Sequence, residues 1–500
     1  MTLSDEQQFL TEVVAPDGYK FTVNTGLFIN NEFVAGENTI DTTNPATGKL
    51  LATVQAAEAK QVDMAVDAAE KAFHHGWKSS HPRERSRLLN KLADLIERDT
   101  DEIAHLESLD SGKAIMGVRN FDAPHSINQL RYFSGFCDKN HGKVIQTNGK
   151  LSYTIHEPIG VCAGIIAWNV STLMITYKIA PALCVGNTVV IKTSEFAPLA
   201  ALKIAALVRE AGFPPGVINI ISGYGHTAGE AMSHHKKIGK ISFTGSVATG
   251  RLIMKGAAES NLKKVTLELG GKSPVIIFDD VENLDEAVTW VHTGGYSISG
   301  QACCAGSRVY VQEGIYDQFI EKLKTLVLSK KIGCPFEQDT FQGPQVSETQ
   351  FKRVMDYIDI GKKEGATCYL GGNSINREGY YIEPTIFTDV TENMRIMQEE
   401  IFGPVICVAK FRDENDVIFK ANDTTYGLAA GVFTANVTRA LTVSKALEAG
   451  QVWVNCFMTI DSPIPFGGYK QSGFGRECSE YALMDYIQIK SIKINAGNPV

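Results

Sequence analysis

The chain has 500 residues, 44% of them apolar, 21% charged and 9% aromatic, and a net charge of −8 from 48 basic and 56 acidic side chains. That length exceeds one ordinary hydrophobic core, so two or three domains are expected, and the acidic balance excludes nonspecific attraction to nucleic acid or anionic membrane. No apolar run approaches the ~18 residues of a membrane span, and the ten cysteines, single apart from Cys303-Cys304 and without CxxC or Cys/His spacing, indicate neither a disulfide framework nor a metal site.

The N-terminal Met1-Thr-Leu-Ser-Asp-Glu-Gln-Gln is polar and acidic, unlike a secretory signal or an organelle presequence, and Asn498-Pro-Val500 is no peroxisomal address. A cytoplasmic protein is expected. From about 60 to 108 apolar residues recur at helical spacing, first Val62, Ala65, Val66, Ala69 and Phe73, then Leu88, Leu89, Leu92, Leu95 and Ile96 behind Pro82; this predicts amphipathic helices. The His pairs at 74/75 and 234/235 fall at polar helix ends and are read as solvated. Leu151 to His156 alternates apolar with polar residues, as a half-exposed strand does. From 160 the rhythm changes. Short β-branched runs, Gly160 to Ile166, Thr188 to Lys192, Val217 to Ile221 and Lys240 to Phe243, alternate with helical stretches of roughly 10 to 15 residues, the signature of a buried parallel sheet of the nucleotide-binding kind. After Glu268 the alternation restarts with Pro274 to Phe278, Leu284 to Val291, Arg308 to Gln312 and Ile315 to Lys331, predicting a second α/β domain. Gln488 to Asn495 reads as another half-exposed strand.

Two segments carry the chemistry. Glu268-Leu-Gly-Gly-Lys272 closes a strand-like run, and Cys303, 35 residues past the Glu, stands in Gly300-Gln-Ala-Cys303-Cys304. A thiol attacks a carbonyl carbon only after losing its proton, and a carboxylate nearby can take that proton or activate the water that later releases the product. For a nucleotide, Gly223-Tyr-Gly225-His-Thr-Ala-Gly229 is one residue off the dinucleotide spacing, and a surface turn explains it as well. Gly245-Ser246-Val-Ala-Thr-Gly250 follows a predicted strand and opens a helix, so Ser246 and the first helical amides suit a pyrophosphate while Gly250 lets helix meet sheet. Lys192 and Glu195 end the strand begun at Thr188, where open α/β sheets place ligands.

These segments, with Ala167-Trp168-Asn169, Lys192-Thr-Ser-Glu195, Glu400-Ile-Phe402-Gly-Pro404 and Pro465-Phe466-Gly-Gly-Tyr-Lys470-Gln-Ser-Gly473, resemble the aldehyde dehydrogenase superfamily, in its order, over about residues 27 to 496. The resemblance implies an α/β fold with a Rossmann-like NAD-binding domain (1–138 and 159–270), an α/β catalytic domain (271–485) and a small β sheet (139–158 and 486–500) that joins subunits into a homodimer or homotetramer. It implies Cys303, at the Cys of Gly-Gln-x-Cys, as nucleophile; Asn169 as oxyanion donor; Glu268 as the base that activates water; and Lys178 as a supporting residue. Trp168, Lys192, Glu195, Gly225, Gly245, Ser246, Gly250, Glu400 and Phe402 are the expected cofactor residues. A carboxylate at Glu195 can accept from both adenosine ribose hydroxyls and meets like charge in a 2′-phosphate, so NAD is preferred with NADP tolerated. The substrate is an aldehyde and the product an acid.

The departures from the family pattern surround Asn169. Ala167 stands where proline is usual, Val170-Ser171 replace an aromatic-proline pair, and Tyr177 replaces a common tryptophan. The expectation is a wider aldehyde tunnel at Val170, with the Ser171 hydroxyl free for a polar group on a bulky substrate. A redox-free thiol hydrolase, a non-catalytic binding protein and a CoA-acylating relative are the competing readings; Asn169, Glu268 and Cys303 together disfavour the last two.

Overall fold

The computed structural model describes residues 7–147 and 150–495. The readings made on 1–6 and 498–500, and residues 148–149 and 496–497 of the expected subunit-joining segments, lie outside the described residues. No described helix is long and apolar enough to cross a membrane.

The β-branched runs form two buried parallel sheets. In the first, five parallel strands lie in the order Lys264–Glu268, Ile238–Thr244, Val161–Ile165, Thr188–Lys192 and Ile218–Ile221. Alternate residues face opposite layers, as the pleat requires. Val161, Ala163 and Ile165 pack with Val62, Ala65, Val66 and Ala69 of helix Ala59–His74. Cys162, Val189 and Ile191 pack with the helices Pro82–Arg98, Ala123–Ser134, Ser171–Cys184 and Leu199–Ala211. The chain leaves Val161–Ile165 toward one edge and returns on its other side at Ile238–Thr244, so the strand order reverses between these two. A crevice opens there beyond their carboxyl ends, the usual ligand position of an open α/β sheet.

The second sheet runs Thr367–Leu370, Thr385–Thr388, Val405–Phe411, Arg308–Gln312, Pro274–Ile277, Ala429–Phe433 and Gln451–Val454, parallel except for its first pair. Helices Leu284–Tyr296 and Tyr316–Ser329 cover one face and Glu348–Lys363 the other. One piece of the segment 271–485 crosses back: Gly473–Phe474 pairs antiparallel with Leu267 and Glu268 at the edge of the first sheet. A two-residue strand has no readable period, which is why the sequence hid it.

The alternating segments pair with each other. Ile487–Ile494 lies antiparallel to Lys150–Pro158 in continuous register from Ile487 opposite Pro158 to Ile494 opposite Leu151. A third strand, Val144–Thr147, adds to the far edge of Lys150–Pro158.

Candidate active site

The crevice between the domains has a cavity of about 160 Å³ lined by Trp168, Asn169, Gly245, Ser246, Glu268, Cys303, Glu400 and Phe402, among others. The fold thus brings together residues up to 234 positions apart in sequence. Lys178, Lys192, Glu195, Gly225 and Gly250 lie outside this lining.

Cys303 and Cys304 are neighbours with different surroundings. Cys304 is buried in the second domain's core, whereas Cys303 is half-buried and faces the crevice. The loop that presents them is strained: Ile298, Ser299 and Gly300 have φ of +55°, +57° and +71°, a conformation costing about 1–3 kcal/mol per non-glycine residue. Polar ties from segment 343–346 hold it. Ser299 Oγ donates to the Gly343 carbonyl (2.9 Å), Gln345 Nε2 donates to the Ser299 carbonyl (3.1 Å), and the Val346 N–H donates to Gln301 Oε1 (3.0 Å). No helix starts at Cys303, so a helix dipole is not available to acidify it. Its thiol is pushed well above the usual range, first by its hydrogen bond with Cys304, then by burial and the nearby carboxylates Glu268 and Glu400.

Asn169 follows the strand Val161–Ile165 and is buried. Its Nδ2 donates to the Gln301 carbonyl at 2.9 Å, which fixes the amide orientation and leaves the second N–H uncommitted. The Cys303 backbone N–H likewise has no partner among the described residues. Behind Asn169 lies a buried polar cluster that the sequence did not reveal. Lys113 pairs with Asp122 and reaches the Asn169 carbonyl at 3.4 Å, while Glu107 accepts from the Thr172 N–H at 3.1 Å and anchors the next helix.

Glu268 ends its strand opposite Thr244 and Gly473. Both carboxylate oxygens are buried without a partner among the described residues. Burial raises its pKa well above the ordinary value, Glu477 raises it further, and Lys178 and Arg476 oppose. The carboxyl lies against Gly467, where a Cβ would come 2.8 Å from Oε1. Two and three residues past Glu268 there is no room for side chains either: a Cβ on Gly270 would meet Glu400, and one on Gly271 would meet the Cys303 carbonyl at 2.3 Å. The 465–473 motif finds its purpose here, since Ser472 Oγ donates to the Gly270 carbonyl (2.7 Å) and the Ser472 carbonyl accepts from the Leu269 N–H (2.9 Å). Lys178 is buried in an ion pair with Glu477, which the sequence reading did not name; Gln350 and Arg353, also not named there, line the crevice itself.

Among the expected cofactor residues, Ser246 caps helix Val247–Ser260 by accepting from the Thr249 N–H at 3.2 Å, and its exposed start opens on the crevice. Gly250 sits so close to the sheet that a Cβ would fall 2.9 Å from Leu269. Trp168 and Phe402 meet edge to face at 5.3 Å and 90°, with Phe402 held at φ +61° and its carbonyl bonded by Gln350 at 2.7 Å. Glu400 accepts from the Gly271 N–H at 2.9 Å, and burial lifts its pKa to about 7. Lys192 and half-buried Glu195 stand 3.8 Å apart at their strand end. Gly225 begins a helical segment, Gly225–Gly229 continued by Glu230–His234, after Ile218–Ile221, and a Cβ there would touch nothing, so no close approach of this structure requires glycine.

One expectation is corrected. Ser171 is fully buried and its hydroxyl donates to the Ala197 carbonyl at 3.2 Å, so it is not free for a substrate. Val170 packs against the first domain's core, while Met174 lines the crevice.

A profile described as "Aldehyde dehydrogenase family" matches residues 33–492. The chain belongs to the aldehyde dehydrogenase family. An aldehyde dehydrogenase of Alternaria alternata is 55% identical over 486 residues, 97% of this chain and 98% of that one. One from Emericella nidulans is 54% identical over 482 residues, 96% and 97% of the two chains. The structure of the Bacillus cereus aldehyde dehydrogenase with NAD+ superposes with a TM-score of 0.93 at 43% identity, covering 99% of each chain. The α/β architecture with its two parallel sheets is therefore the aldehyde dehydrogenase fold.

Proposed function

We propose that the protein oxidises an aldehyde to the carboxylic acid with NAD as acceptor, through a covalent adduct on Cys303. The observation that carries this is the crevice itself, where Cys303 faces Glu268 and Asn169 beside a helix N-terminus suited to a pyrophosphate. Gly245, Ser246 and Gly250 would hold the pyrophosphate, Lys192 and Glu195 the adenosine ribose, with Glu400 at the nicotinamide ribose and Trp168 and Phe402 bounding the ring. Bound there, NAD supplies the acceptor for the hydride that raises the carbon to the acid oxidation level.

Cys303 loses its proton and its sulfur attacks the carbonyl carbon. The oxyanion accepts hydrogen bonds from Asn169 Nδ2, whose amide the Gln301 carbonyl orients, and from the Cys303 N–H. After oxidation the carbon is a thioester. Glu268 takes a proton from water, whose oxygen attacks that carbon and expels the Cys303 thiolate. Lys178, paired with Glu477, opposes the like charge that Glu477 presents to Glu268.

The test is NADH absorbance on mixing the protein with NAD and an aldehyde; a thiol hydrolase would give none. Asn169→Ala is expected to cost about 2.7–4 kcal/mol of transition-state stabilisation, roughly 10² to 10³ in kcat, with NAD affinity nearly unchanged. Near-normal turnover would remove Asn169 from the mechanism. For the acceptor, kcat/KM is expected to be higher with NAD than with NADP, and Glu195→Gln should narrow the gap by removing the charge that meets a 2′-phosphate. A wild type that favours NADP would overturn the assignment of Glu195.

Self-association is proposed through the small sheet, whose Val144, Ile145, Leu151, Ile489 and Ile494 are exposed; sedimentation gives the subunit count. Ten free cysteines suit a reducing compartment such as the cytosol.

A further inference from the structure

A buried ion cluster stands behind Asn169 and takes no part in the steps of the reaction. Helix Thr100–Ser111 stops at Gly112, left-handed at φ +76°. A side chain does not fit there, since a Cβ would fall 2.7 Å from the Pro344 ring and 2.8 Å from the Pro45 ring. Lys113 follows and is buried. Its ammonium pairs with Asp122, the last residue of the π-helical turn Val118–Asp122, lies 3.9 Å from Glu107, and reaches the Asn169 carbonyl at 3.4 Å. Glu107 and Asp122 are completely buried.

The cluster grips one turn at both ends. Asn169 and Val170 form the turn between strand Val161–Ile165 and helix Ser171–Cys184. Val170 stands at the helix's N-cap with no side-chain acceptor for the first helical N–H groups. Glu107 supplies one from another helix. Its Oε2 accepts from the Thr172 N–H at 3.1 Å and from the Thr172 hydroxyl, a carboxylate where the helix dipole favours one. Lys113 takes the carbonyl at the start of the same turn. The Asn169 side chain itself has one tie, from Nδ2 to the Gln301 carbonyl, and its Oδ1 has no partner among the described residues. Where the amide sits therefore depends on where its backbone is held. The same corner also meets the support of the nucleophile loop: a Cβ on Gly343 would come 2.0 Å from the Gly112 carbonyl, and the Gly343 carbonyl accepts from Ser299 Oγ.

We propose that Lys113 is a positioning residue: with Glu107 it clamps the turn 169–172 and so sets how the Asn169 amide meets the oxyanion formed at Cys303. The inference rests on the reading of Asn169 as oxyanion donor. Lys113 is not among the residues lining the crevice, so it acts through Asn169 and not on the substrate. A buried ion cluster gains little stability over apolar packing of the same volume; what this one adds is direction, a cation on the carbonyl at one end of the turn and a carboxylate on the N–H at the other.

The rate of NADH formation in a single turnover and KM for NAD would be measured in Lys113→Met, in Asn169→Ala and in the two combined. Lys113→Met is expected to slow the turnover about tenfold, short of the roughly hundredfold or more expected of Asn169→Ala, because the donor is displaced and not removed. KM for NAD should stay within about twofold. In the Asn169→Ala background the same substitution should change the rate by less than about twofold, since no amide is left to misplace. Lys113→Met takes the cation from two buried carboxylates; if it does not fold, Lys113→Met with Asp122→Asn removes both charges of the pair and carries the comparison. A drop of about tenfold that persists in the Asn169→Ala background, an equal rise in KM for NAD, or no drop at all overturns the clamp and leaves the oxyanion reading standing. A near-normal rate in Asn169→Ala alone is a distinct result, which overturns that reading and the clamp with it.

Discussion

Cys303→Ala is expected to lower aldehyde-dependent NADH formation by about a thousandfold or more, to background, since no covalent adduct forms without the sulfur. Cys304→Ala is expected to retain most activity. The two thiols differ in what surrounds them: Cys303 faces the crevice, whereas Cys304 is 3% exposed in the core of the second domain. Removing Cys304 leaves a small cavity, with a stability loss of about 1 kcal/mol. It also removes the hydrogen bond that is the first cause of the raised Cys303 pKa. The Cys303 thiol of that variant should therefore ionise more readily, and its alkylation by iodoacetamide at neutral pH should be faster than in wild type. Activity lost in Cys304→Ala and kept in Cys303→Ala would exchange the two assignments.

Much of this site was legible because its main groups sit at the ends of strands with a strong local signal. Thr188–Lys192 and Arg308–Gln312 fold with the limits that their β-branched runs suggest, and Glu268 and Cys303 stand within short Gly-containing motifs whose glycines turn out to be places where backbone meets backbone or carboxylate. What was not legible depends on partners far away in sequence. Nothing near Asn169 announces that the Gln301 carbonyl orients its amide, and Glu477 is an isolated carboxylate until the fold sets it against Lys178. Ser171 was misread for the same reason: a hydroxyl next to a catalytic residue looks available until the Ala197 carbonyl is folded against it. The strained Ile298-Ser299-Gly300 turn is hidden as well, because Ile and Ser favour other conformations and ties from distant 343–346 help hold them there.

Glu268→Gln separates the two halves of the reaction. An amide of the same size keeps the packing against Gly467 but cannot accept the proton of an attacking water, so thioester should form and then persist. Rapid mixing with NAD and aldehyde is expected to give a burst of about one NADH per active site followed by a slow steady phase. The pH dependence has a definite sign. Burial first, and then the charge of Glu477, raise the pKa of Glu268 well above the ordinary carboxylate value, so its basic form is populated at higher pH than that of an ordinary carboxylate. Wild-type steady-state turnover, where hydrolysis limits it, should therefore increase with pH through the titration of Glu268. The variant's slow phase should lack that increase, since glutamine does not titrate. If the burst itself disappears in Glu268→Gln, the carboxylate acts earlier, on the Cys303 thiol, whose raised pKa gives it equal need of a base. A burst that survives and a slow phase that keeps the wild-type pH dependence would exclude Glu268 from both steps.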